Sequence, residues 1–433
     1  MTILKAWRAE LLWTRAPPGA AGRATSHHPD GLLLAADGRI AAVGPFEALS
    51  PGLPEGLAIE DLRGRMIVPG LVDAHVHFPQ IGMIGAPGGE LMDWLKRYTF
   101  PAERAFADPG HARRMAQVFL DALLAAGTTT AMVYGSVHRG SVEALFEAAL
   151  ARGMRLIAGK CLMDRGPPGL RDTVLDGEAD TRALIDRWHG RGRLGYAVTP
   201  RFALGSSPEQ LAGAGRILAD HPGVWMQTHL AENLREIEAT ARAFPEARDY
   251  LDVYDRAGLL GRRSVFGHCV HMEDRALDRM AQAGCACAFC PGSNLFLGSG
   301  LFDLERTRAR GVRVALGSDI GAGVSLSMLA NGAEAYKVGQ LRGQALSPLA
   351  AFDLATRAAA EALDLAGVIG TLDPGAEADF VVLDPAASPL LAERWAASRD
   401  VEDRLMALMV LGQEQAVART YVAGNLAHAR VSK

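Results

Sequence analysis

The sequence predicts an α/β fold in which a (β/α)8 barrel of the TIM type is joined to a small β-sandwich domain built from both chain termini. Strand-like and helical patterns alternate through the middle of the chain, eight strand candidates can be counted, and glycine-punctuated β runs occur at both ends. Alternation with apolar strands favours a parallel sheet, and eight repeats favour its closure into a barrel.

The strand candidates are short apolar runs, and each is separated from the next by enough chain for a crossover. Before the second run, Asp108 and Pro109 are typical of a helix start, apolar residues recur at helical spacing, and Gly127 is typical of a helix end. The eight candidates are residues 66–74, 129–134, 154–161, 194–199, 224–228, 264–267, 285–289 and 312–317.

The two ends of the chain differ from this middle region. Short β-type runs with glycines occur near residues 31–44 and again near 375–384 and 420–424. We therefore expect residues 1–65 and 371–433 to form the small β domain together, with residues 66–370 forming the barrel that holds the chemistry.

Composition excludes several classes of protein. The net charge of −4 leaves no electrostatic footprint for nucleic acid or an anionic membrane surface. The first ten residues lack the apolar core of a signal peptide, and no run approaches the roughly 20 apolar residues of a membrane span. The five cysteines fit reduced thiols better than a disulfide framework, so we expect a soluble cytoplasmic protein.

Polar side chains with metal-binding or proton-transfer chemistry follow several predicted strands. The carboxyl ends of barrel strands form the rim at which active sites of this fold are built. Chance placement of so many such groups at one rim is improbable. They are His75 and His77 after the first strand, Arg201 after the fourth, His229 after the fifth, His268 after the sixth and Asp319 after the eighth.

A metal centre is the first function that these residues indicate. His75 and His77 are two residues apart, so both imidazoles point to one side of an extended segment. His229 is the natural third nitrogen ligand, and Asp319 offers a carboxylate oxygen. A lone histidine at a strand end is more often a structural residue, and the alternative role for Asp319 is a helix cap or a turn residue. Together the four residues suit a zinc-like ion, and iron fits these ligand types equally well.

Proton transfer is the second function. Glu232 follows His229 by three residues, where it is either an ordinary acid at a helix start or a general acid–base facing the metal. His268 is expected to donate to a developing oxyanion, with His271 as a lower-ranked alternative. Lys160 is not favoured as a bridge between two metals, since one metal already has enough ligands. Cys285, Cys287 and Cys290 are expected to be small strand residues.

The motifs that carry these residues resemble the amidohydrolase superfamily and, more narrowly, its guanine deaminases. The broad resemblance rests on residues 69–77 (PGLVDAHVH), 228–232 (THLAE), 267–269 (GHC) and 317–319 (GSD). The narrow one rests on residues 77–80 (HFPQ), 94–103 (WLKRYTFPAE), 159–164 (GKCLMD), 199–202 (TPRF) and 290–295 (CPGSNL). The resemblance runs through almost the whole chain.

The resemblance implies hydrolytic deamination of guanine to xanthine by a homodimer that uses one zinc ion. By this similarity Asp319 orients the attacking water, Glu232 protonates a purine ring nitrogen and His268 stabilises the attacked centre. It also implies a purine site in which Arg201 donates to the 6-oxygen. The other expected contacts are the Gln80 amide, the flat walls of Phe202 and Trp94, and the metal ligand His229.

Two other hypotheses remain open at this point. The same metal chemistry serves related ring amines such as a pterin, 8-oxoguanine, a triazine or an adenosine derivative. A catalytically silent barrel that acts as a binding scaffold is the third hypothesis. The complete set of ligands with Glu232 and His268 argues against it, because a retired site has no physical need for buried charges.

Overall fold

The computed structural model describes residues 4–17, 24–87 and 91–431. Residues 1–3, 18–23 and 432–433 of the predicted β domain lie outside the described residues. The strands are β1 (Leu4–Thr14), β2 (Thr25–Ala36), β3 (Arg39–Pro45), β4 (Ile59–Pro69), β5 (Leu71–His77), β6 (Thr128–Tyr134), β7 (Arg155–Gly159), β8 (Cys161–Leu162), β9 (Leu194–Pro200), β10 (Trp225–Leu230), β11 (Ser264–His268), β12 (Ala286–Phe289), β13 (Arg313–Leu316), β14 (Phe380–Leu383), β15 (Val417–Val422) and β16 (Asn425–Ala429).

Helices connect the strands and cover the outside of the barrel. They are α1 (Phe46–Leu49), α2 (Leu91–Trp94), α3 (Phe100–Arg104), α4 (Pro109–Ala125), α5 (Arg139–Ala151), α6 (Val174–Trp188), α7 (Pro208–Asp220), α8 (Leu234–Ala243), α9 (Tyr250–Arg256), α10 (Asp274–Ala283), α11 (Pro291–Phe296), α12 (Leu304–Ala309), α13 (Met328–Leu341), α14 (Pro348–Leu354), α15 (Arg357–Ala362), α16 (Pro389–Ala396) and α17 (Val401–Ala407). Helix α4 begins as predicted, because the Asp108 side chain accepts hydrogen bonds from the Gly110 and His111 amides.

The barrel is a parallel sheet with the strand order β5-β6-β7-β9-β10-β11-β12-β13, and β8 pairs with β9 beside it. One apolar cluster contains at least one residue from each of these eight strands, together with alanines of α15. Such a cluster is the packed interior of a barrel rather than a pore. The predicted (β/α)8 barrel is therefore confirmed.

The first and last barrel strands are joined where the chemistry was expected. The Asp319 amide donates to the His75 carbonyl at 2.8 Å, and the His77 amide donates to the Ile320 carbonyl at 2.9 Å. The buried carboxylate of Asp73 accepts hydrogen bonds from the Ser318 hydroxyl and, at 3.0 Å, from the Ser318 amide. Barrel closure and the proposed ligands thus share one set of backbone contacts.

Both chain termini contribute to the second sheet, as predicted. It is a mixed seven-stranded sheet with the order β16-β15-β14-β4-β1-β2-β3. The Trp7 ring packs edge-on against Phe380 and Tyr421, with ring centroids 4.8 Å and 5.4 Å apart. This aromatic group fixes the amino-terminal strand β1 to carboxyl-terminal strands of the same sheet.

The first predicted strand was wrong in its extent. Residues 66–74 are divided between two sheets, since β4 ends at Pro69 in the terminal sheet and β5 begins at Leu71 in the barrel. Gly70 separates them, and a Cβ atom there would lie 2.1 Å from Thr129 Oγ1. The predicted division at residues 65 and 66 falls inside β4, while the three-part domain organisation stays a prediction.

The remaining predicted strands coincide with β6, β7, β9, β10, β11, β12 and β13. His75 and His77 lie within β5, which ends at His77, rather than after it. All five cysteines are buried free thiols. Within the described part of the chain, no helix has the length and apolar character that crossing a membrane requires.

Candidate active site and metal centre

One cavity at the carboxyl ends of the barrel strands collects most of the residues singled out from the sequence. His77 ends β5, His229 lies in β10, His268 ends β11, and Asp319 follows β13 by three residues. The cavity is lined by His77, Gln80, Trp94, Leu95, Arg201, Phe202, His229, Glu232, Glu236, His268, Leu297, Asp319 and Ala322. The cavity therefore contains every predicted site residue except His75, whose ring packs against those of His77, His229 and His268.

His75, His77, His229 and Asp319, here called the metal cluster, each offer one donor atom, and all four atoms lie within 4.8 Å of one another. The Nε2 atoms of His77 and His229 are 3.1 Å apart. Asp319 Oδ1 lies 3.3 Å from the Nε2 atoms of both His75 and His77. This convergence of three nitrogens and one oxygen is the geometry that chelates a single ion.

Hydrogen bonds behind His229 set its tautomer. Its Nδ1 donates to the Arg201 carbonyl at 2.5 Å, which leaves the Nε2 lone pair directed at the cluster. The Tyr254 hydroxyl donates to the His229 carbonyl at 2.8 Å and holds the backbone there. Metal-binding histidines are commonly oriented by such a bond from the other ring nitrogen.

The protonation states also suit a metal cation. Burial lowers the pKa of His75 to about 4 and that of His229 well below its ordinary value. Burial opposes ionisation of Asp319, but His75 and His77 hold its pKa well below the usual range. Three neutral imidazoles and one carboxylate are the deprotonated ligands that a metal requires. His75 Nε2 is buried without a hydrogen-bond partner among the described residues, which a bound cation would satisfy.

Two glycines make room for His75. A Cβ atom at Gly267 would lie 2.5 Å from His75 Cε1, and one at Gly317 would lie 2.7 Å from His75 Cβ. Real Cβ atoms do not approach other atoms so closely, so any side chain here would displace the imidazole. The glycines of the GHC and GSD motifs are thus explained by close packing around the His75 side chain.

Glu232 lies next to the metal cluster and outside the following helix. The chain passes through Asn233, which caps α8 in a capping box with Glu236. Glu232 is therefore not an ordinary acid of the first turn. Ser299 Oγ donates to its Oε1 at 2.9 Å, and burial raises its pKa to about 7. A carboxyl group with that pKa can take up and release a proton near neutral pH.

His268 faces both carboxylates of the site. Its Nε2 lies 3.4 Å from Glu232 Oε2 and 3.8 Å from Asp319 Oδ2, and its Nδ1 lies 2.9 Å from Asn294 Oδ1. Burial opposes protonation, but Glu232, Asp319 and Asn294 raise the pKa of His268 above its ordinary value. His271 does not line the cavity, and its Nε2 instead contacts the Ser299 carbonyl at 2.7 Å.

Left-handed backbone conformations occur at this rim. Ala231, His268, Cys269 and Asp319 have φ values of 50°, 70°, 52° and 49°. Residues other than glycine adopt this region at a cost, and such positions cluster at functional sites. Here they turn the chain sharply at the ends of β10, β11 and β13.

The opposite wall of the cavity is formed by residues from three other segments. Gln80 follows β5, Trp94 ends α2, and Arg201 with Phe202 follows β9. Gln80 Oε1 accepts from the Gly321 amide at 3.0 Å. Trp94 Nε1 donates to the Ala86 carbonyl at 3.2 Å, which fixes the indole ring. These side chains give the cavity two aromatic surfaces, a cation and an amide.

Sequence reasoning assigned no role to several residues that contact the site. Glu103 pairs with Arg201 and Gln80, Asn294 with His268, and Ser299 with Glu232. Glu103 and Asn294 stand in segments 94–103 and 290–295, whose motifs were the only signal available. Lys160 is buried in an ion pair with Asp172, which occupies its ammonium group.

Comparison with known proteins gives a consistent result. The amidohydrolase family profile matches residues 66–427. A guanine deaminase from Escherichia coli (strain K12) is 48% identical over 402 residues, which cover 93% of this chain and 92% of that protein. The resemblance to guanine deaminases seen in the sequence motifs is confirmed at this level.

Solved structures agree with the sequence comparison. The structure of E. coli guanine deaminase matches with a TM-score of 0.97 and 46% identity, covering 99% of this chain and 100% of that one. Guanine deaminase from C. acetobutylicum, solved with guanine bound in its active site, matches with a TM-score of 0.88 and 28% identity over 98% of this chain and 100% of that one. From its metal cluster, its fold and these matches, the chain belongs to the amidohydrolase family.

Proposed function

We propose that this protein hydrolyses guanine to xanthine and ammonia, using one metal ion held by the metal cluster. The observation that carries the proposal is the presence of two kinds of groups in one cavity. The metal cluster and Glu232 supply hydrolytic chemistry, and Arg201 and Gln80 supply polar contacts for a purine. The similarity to guanine deaminases over nearly the whole chain supports the same substrate.

Zinc is the metal that we propose. Three imidazole nitrogens and one carboxylate oxygen match its ligand preferences, and iron is the alternative that the same ligands accept. The bound metal ion supplies Lewis acidity that lowers the pKa of water toward roughly 7. The residues of the chain then handle protons and orient the purine.

The proton transfers are assigned from the similarity to guanine deaminases and from the positions of the two acidic groups. Water adds to carbon 2 of the purine while Asp319 accepts its proton, and Glu232 protonates the adjacent ring nitrogen. Asp319 then passes the proton that it accepted to the exocyclic amine, Glu232 takes up the hydroxyl proton of the intermediate, and the carbon–nitrogen bond breaks, so that guanine and water become xanthine and ammonia. The raised pKa of Glu232, about 7, suits a group that alternates between acid and base. His268 stabilises the negative charge that develops on the oxygen added to carbon 2.

Recognition is assigned to the opposite wall. Arg201 donates to the 6-oxygen of the purine, and Gln80 contacts the same polar edge as both donor and acceptor. Trp94 and Phe202 provide flat apolar surfaces for the ring, and His229 borders the substrate as well as the metal. Buried polar groups that match guanine are left unpaired by other purines, which disfavours those ligands.

The proposal is tested by incubating metal-quantified protein with guanine and following xanthine and ammonia together. Equimolar release of both, abolished by chelation and restored by added zinc, is the expected result. A panel of other ring amines is assayed in parallel. If guanine stays intact while another amine is hydrolysed, the hydrolytic site stands and the substrate assignment is wrong.

Three further expectations stay predictions here. They are the homodimer, the cytoplasmic location and the division into domains at residues 65 and 370. Sedimentation of the purified protein tests the first, and localisation of the tagged full chain tests the second. Limited proteolysis tests the third.

A further inference from the structure

We propose that Glu103 is a positioning residue that fixes how Arg201 and Gln80 face the substrate, and that it thereby determines the preference for a purine with an oxygen at carbon 6. This inference rests on the proposed function, because it assigns the substrate edge that the two side chains contact. It adds a residue that does not itself line the cavity.

The contacts of Glu103 are short and buried. Its side chain is fully buried, and Arg201 Nη1 lies 2.7 Å from both of its carboxylate oxygens. Gln80 Nε2 donates to Glu103 Oε1 at 3.0 Å. Glu103 therefore joins the only two cavity residues to which we assign hydrogen bonds with the purine oxygen edge.

The orientation of the Gln80 amide follows from its two protein partners. An amide can exchange its oxygen and nitrogen positions by rotating half a turn, which would reverse donor and acceptor. Glu103 only accepts hydrogen bonds, and the Gly321 amide at 3.0 Å from Oε1 only donates. The reversed amide would face both partners with the wrong group, so Glu103 and the Gly321 amide together select the orientation that is presented to the substrate.

The guanidinium of Arg201 is held in a similar way. Glu103 engages Nη1 alone, so Nη2 and Nε are left to make other contacts. A buried arginine without a carboxylate partner carries a large desolvation cost and turns toward water or an anion. Pairing with Glu103 keeps the Arg201 guanidinium in place. The ion pair has no net charge, which suits an uncharged purine beside it.

The position of Glu103 in the fold couples it to the aromatic wall. It lies in α3, which follows Trp94 through the π-helical turn Leu95–Thr99. The segment between β5 and β6 thus supplies both a ring that covers the purine and the carboxylate that orients its polar contacts. Trp94 and Glu103 therefore lie on short helices, whereas most other site residues lie at or just after the ends of barrel strands.

The alternative is that the Glu103 ion pair only stabilises the fold. The chain offers a matched control for that case. Like Glu103, Glu377 is a buried glutamate that pairs with arginine. Its partners are Arg155 and Arg193, and it lies outside the cavity. Glu103→Gln, Glu103→Asp and Glu377→Gln are therefore compared with the unsubstituted protein.

The experiment measures metal content, the kcat and KM for guanine, and the dissociation constants of two unreactive ligands. Hypoxanthine carries the 6-oxygen and purine lacks it, and neither has an amine at carbon 2. We expect Glu103→Gln to keep its metal, to raise the KM for guanine about 10- to 100-fold and to lower kcat less than KM rises. We expect hypoxanthine binding to weaken by the same factor while purine binding changes less than about threefold.

Glu103→Asp keeps a carboxylate, so its binding of guanine and hypoxanthine is expected to be weakened less than that of Glu103→Gln. The same measurements are made on Glu103→Asp if Glu103→Gln fails to fold. Glu377→Gln is expected to leave KM and both dissociation constants unchanged. Equal weakening of hypoxanthine and purine by Glu103→Gln or Glu103→Asp, or a fall in kcat with no change in KM, would overturn the proposal. If the unsubstituted protein does not deaminate guanine, the proposed function fails, and the ligand comparison still decides whether Glu103 acts on the 6-oxygen.

Discussion

The Nε2 atoms of His77 and His229 lie 3.1 Å apart in a cavity where burial lowers the pKa of both imidazoles. His229 directs its Nε2 lone pair at His77, so the proton of the neutral His77 ring either lies on Nε2 and makes a hydrogen bond or lies on Nδ1 and leaves two lone pairs for a cation. The Nδ1 bond of His229 to the Arg201 carbonyl keeps the Nε2 atom of this ring unprotonated and available to a metal. The relationship makes metal content the first property to measure.

Removing one ligand should remove the metal. His77→Ala is expected to lose bound metal and guanine turnover together, because three remaining donors hold the ion less tightly. His111→Ala, on the outer helix α4, is the matched control and should keep both. Elemental analysis of the purified proteins measures the effect, and full metal content in His77→Ala would contradict the assigned ligand set.

A change at a neighbouring glycine should have a related effect without removing any ligand. Gly267→Ala places a Cβ 2.5 Å from His75 Cε1 and forces the imidazole to move. We expect metal affinity to fall by about 10-fold or more, as found when the residues around metal ligands are changed. Gly140→Ala, where an added Cβ meets nothing within 4 Å, is the control. Unchanged metal affinity in Gly267→Ala would mean that His75 is not a ligand.

Substitution of Glu232 should separate chemistry from metal binding. Glu232→Gln keeps the size of the side chain but cannot transfer a proton, so kcat is expected to fall by about 10²- to 10⁴-fold. Metal content should stay at the level of the unsubstituted protein, since Glu232 is not in the metal cluster. Steady-state assays and elemental analysis are made on the same samples. Glu273→Gln, at an exposed position, is the control. Retention of kcat in Glu232→Gln would refute the acid–base role.

Asn294 is expected to act through His268. Its Oδ1 accepts the Nδ1 proton of His268 at 2.9 Å and so holds the Nε2 edge toward Glu232. Asn294→Ala should lower kcat by about 10-fold, which corresponds to the loss of one hydrogen bond. Asn294→Asp keeps an acceptor and should be less impaired than Asn294→Ala. Identical kcat values for the two variants would show that the hydrogen bond does not position His268.

Closure of the barrel depends in part on a buried carboxylate. Burial raises the pKa of Asp73 to about 7, and hydrogen bonds from Ser318 and the His75 amide oppose that rise. Ser318→Ala removes the hydroxyl donor, and we expect the free energy of unfolding to fall by about 1–3 kcal/mol. Denaturant unfolding of the metal-free protein measures it. An unchanged midpoint would show that this contact does not stabilise the closed barrel.

Much of the site was predictable because strand ends are visible in a sequence. His75, His77, His229, His268 and Asp319 each follow or end an apolar run, and parallel strands bring those ends to one rim. The metal cluster therefore needed only the strand pattern and the preferences of metal ligands. The barrel itself followed from the same pattern.

Glu103 was not assigned a role for the opposite reason. It lies on a short helix, 98 positions from Arg201, and no periodicity indicates that the two meet. The extent of the first strand was also missed, because apolar residues continue through Gly70 without a break in hydrophobicity. The strand bounds and the close approach of Thr129 to Gly70 show where the chain passes from one sheet to the other.

The hydrogen bonds that close the barrel have a consequence for how the protein folds. Asp319 reaches His75 only after the last barrel strand pairs beside the first, across a long separation in sequence. Contacts of such separation form late and slowly, because much loop entropy is lost before they are made. A nascent chain therefore has no complete metal centre until the last barrel strand, β13, and Asp319 after it have been synthesised. A metal ion that binds the folded protein and not the unfolded chain then shifts the folding equilibrium toward the closed barrel.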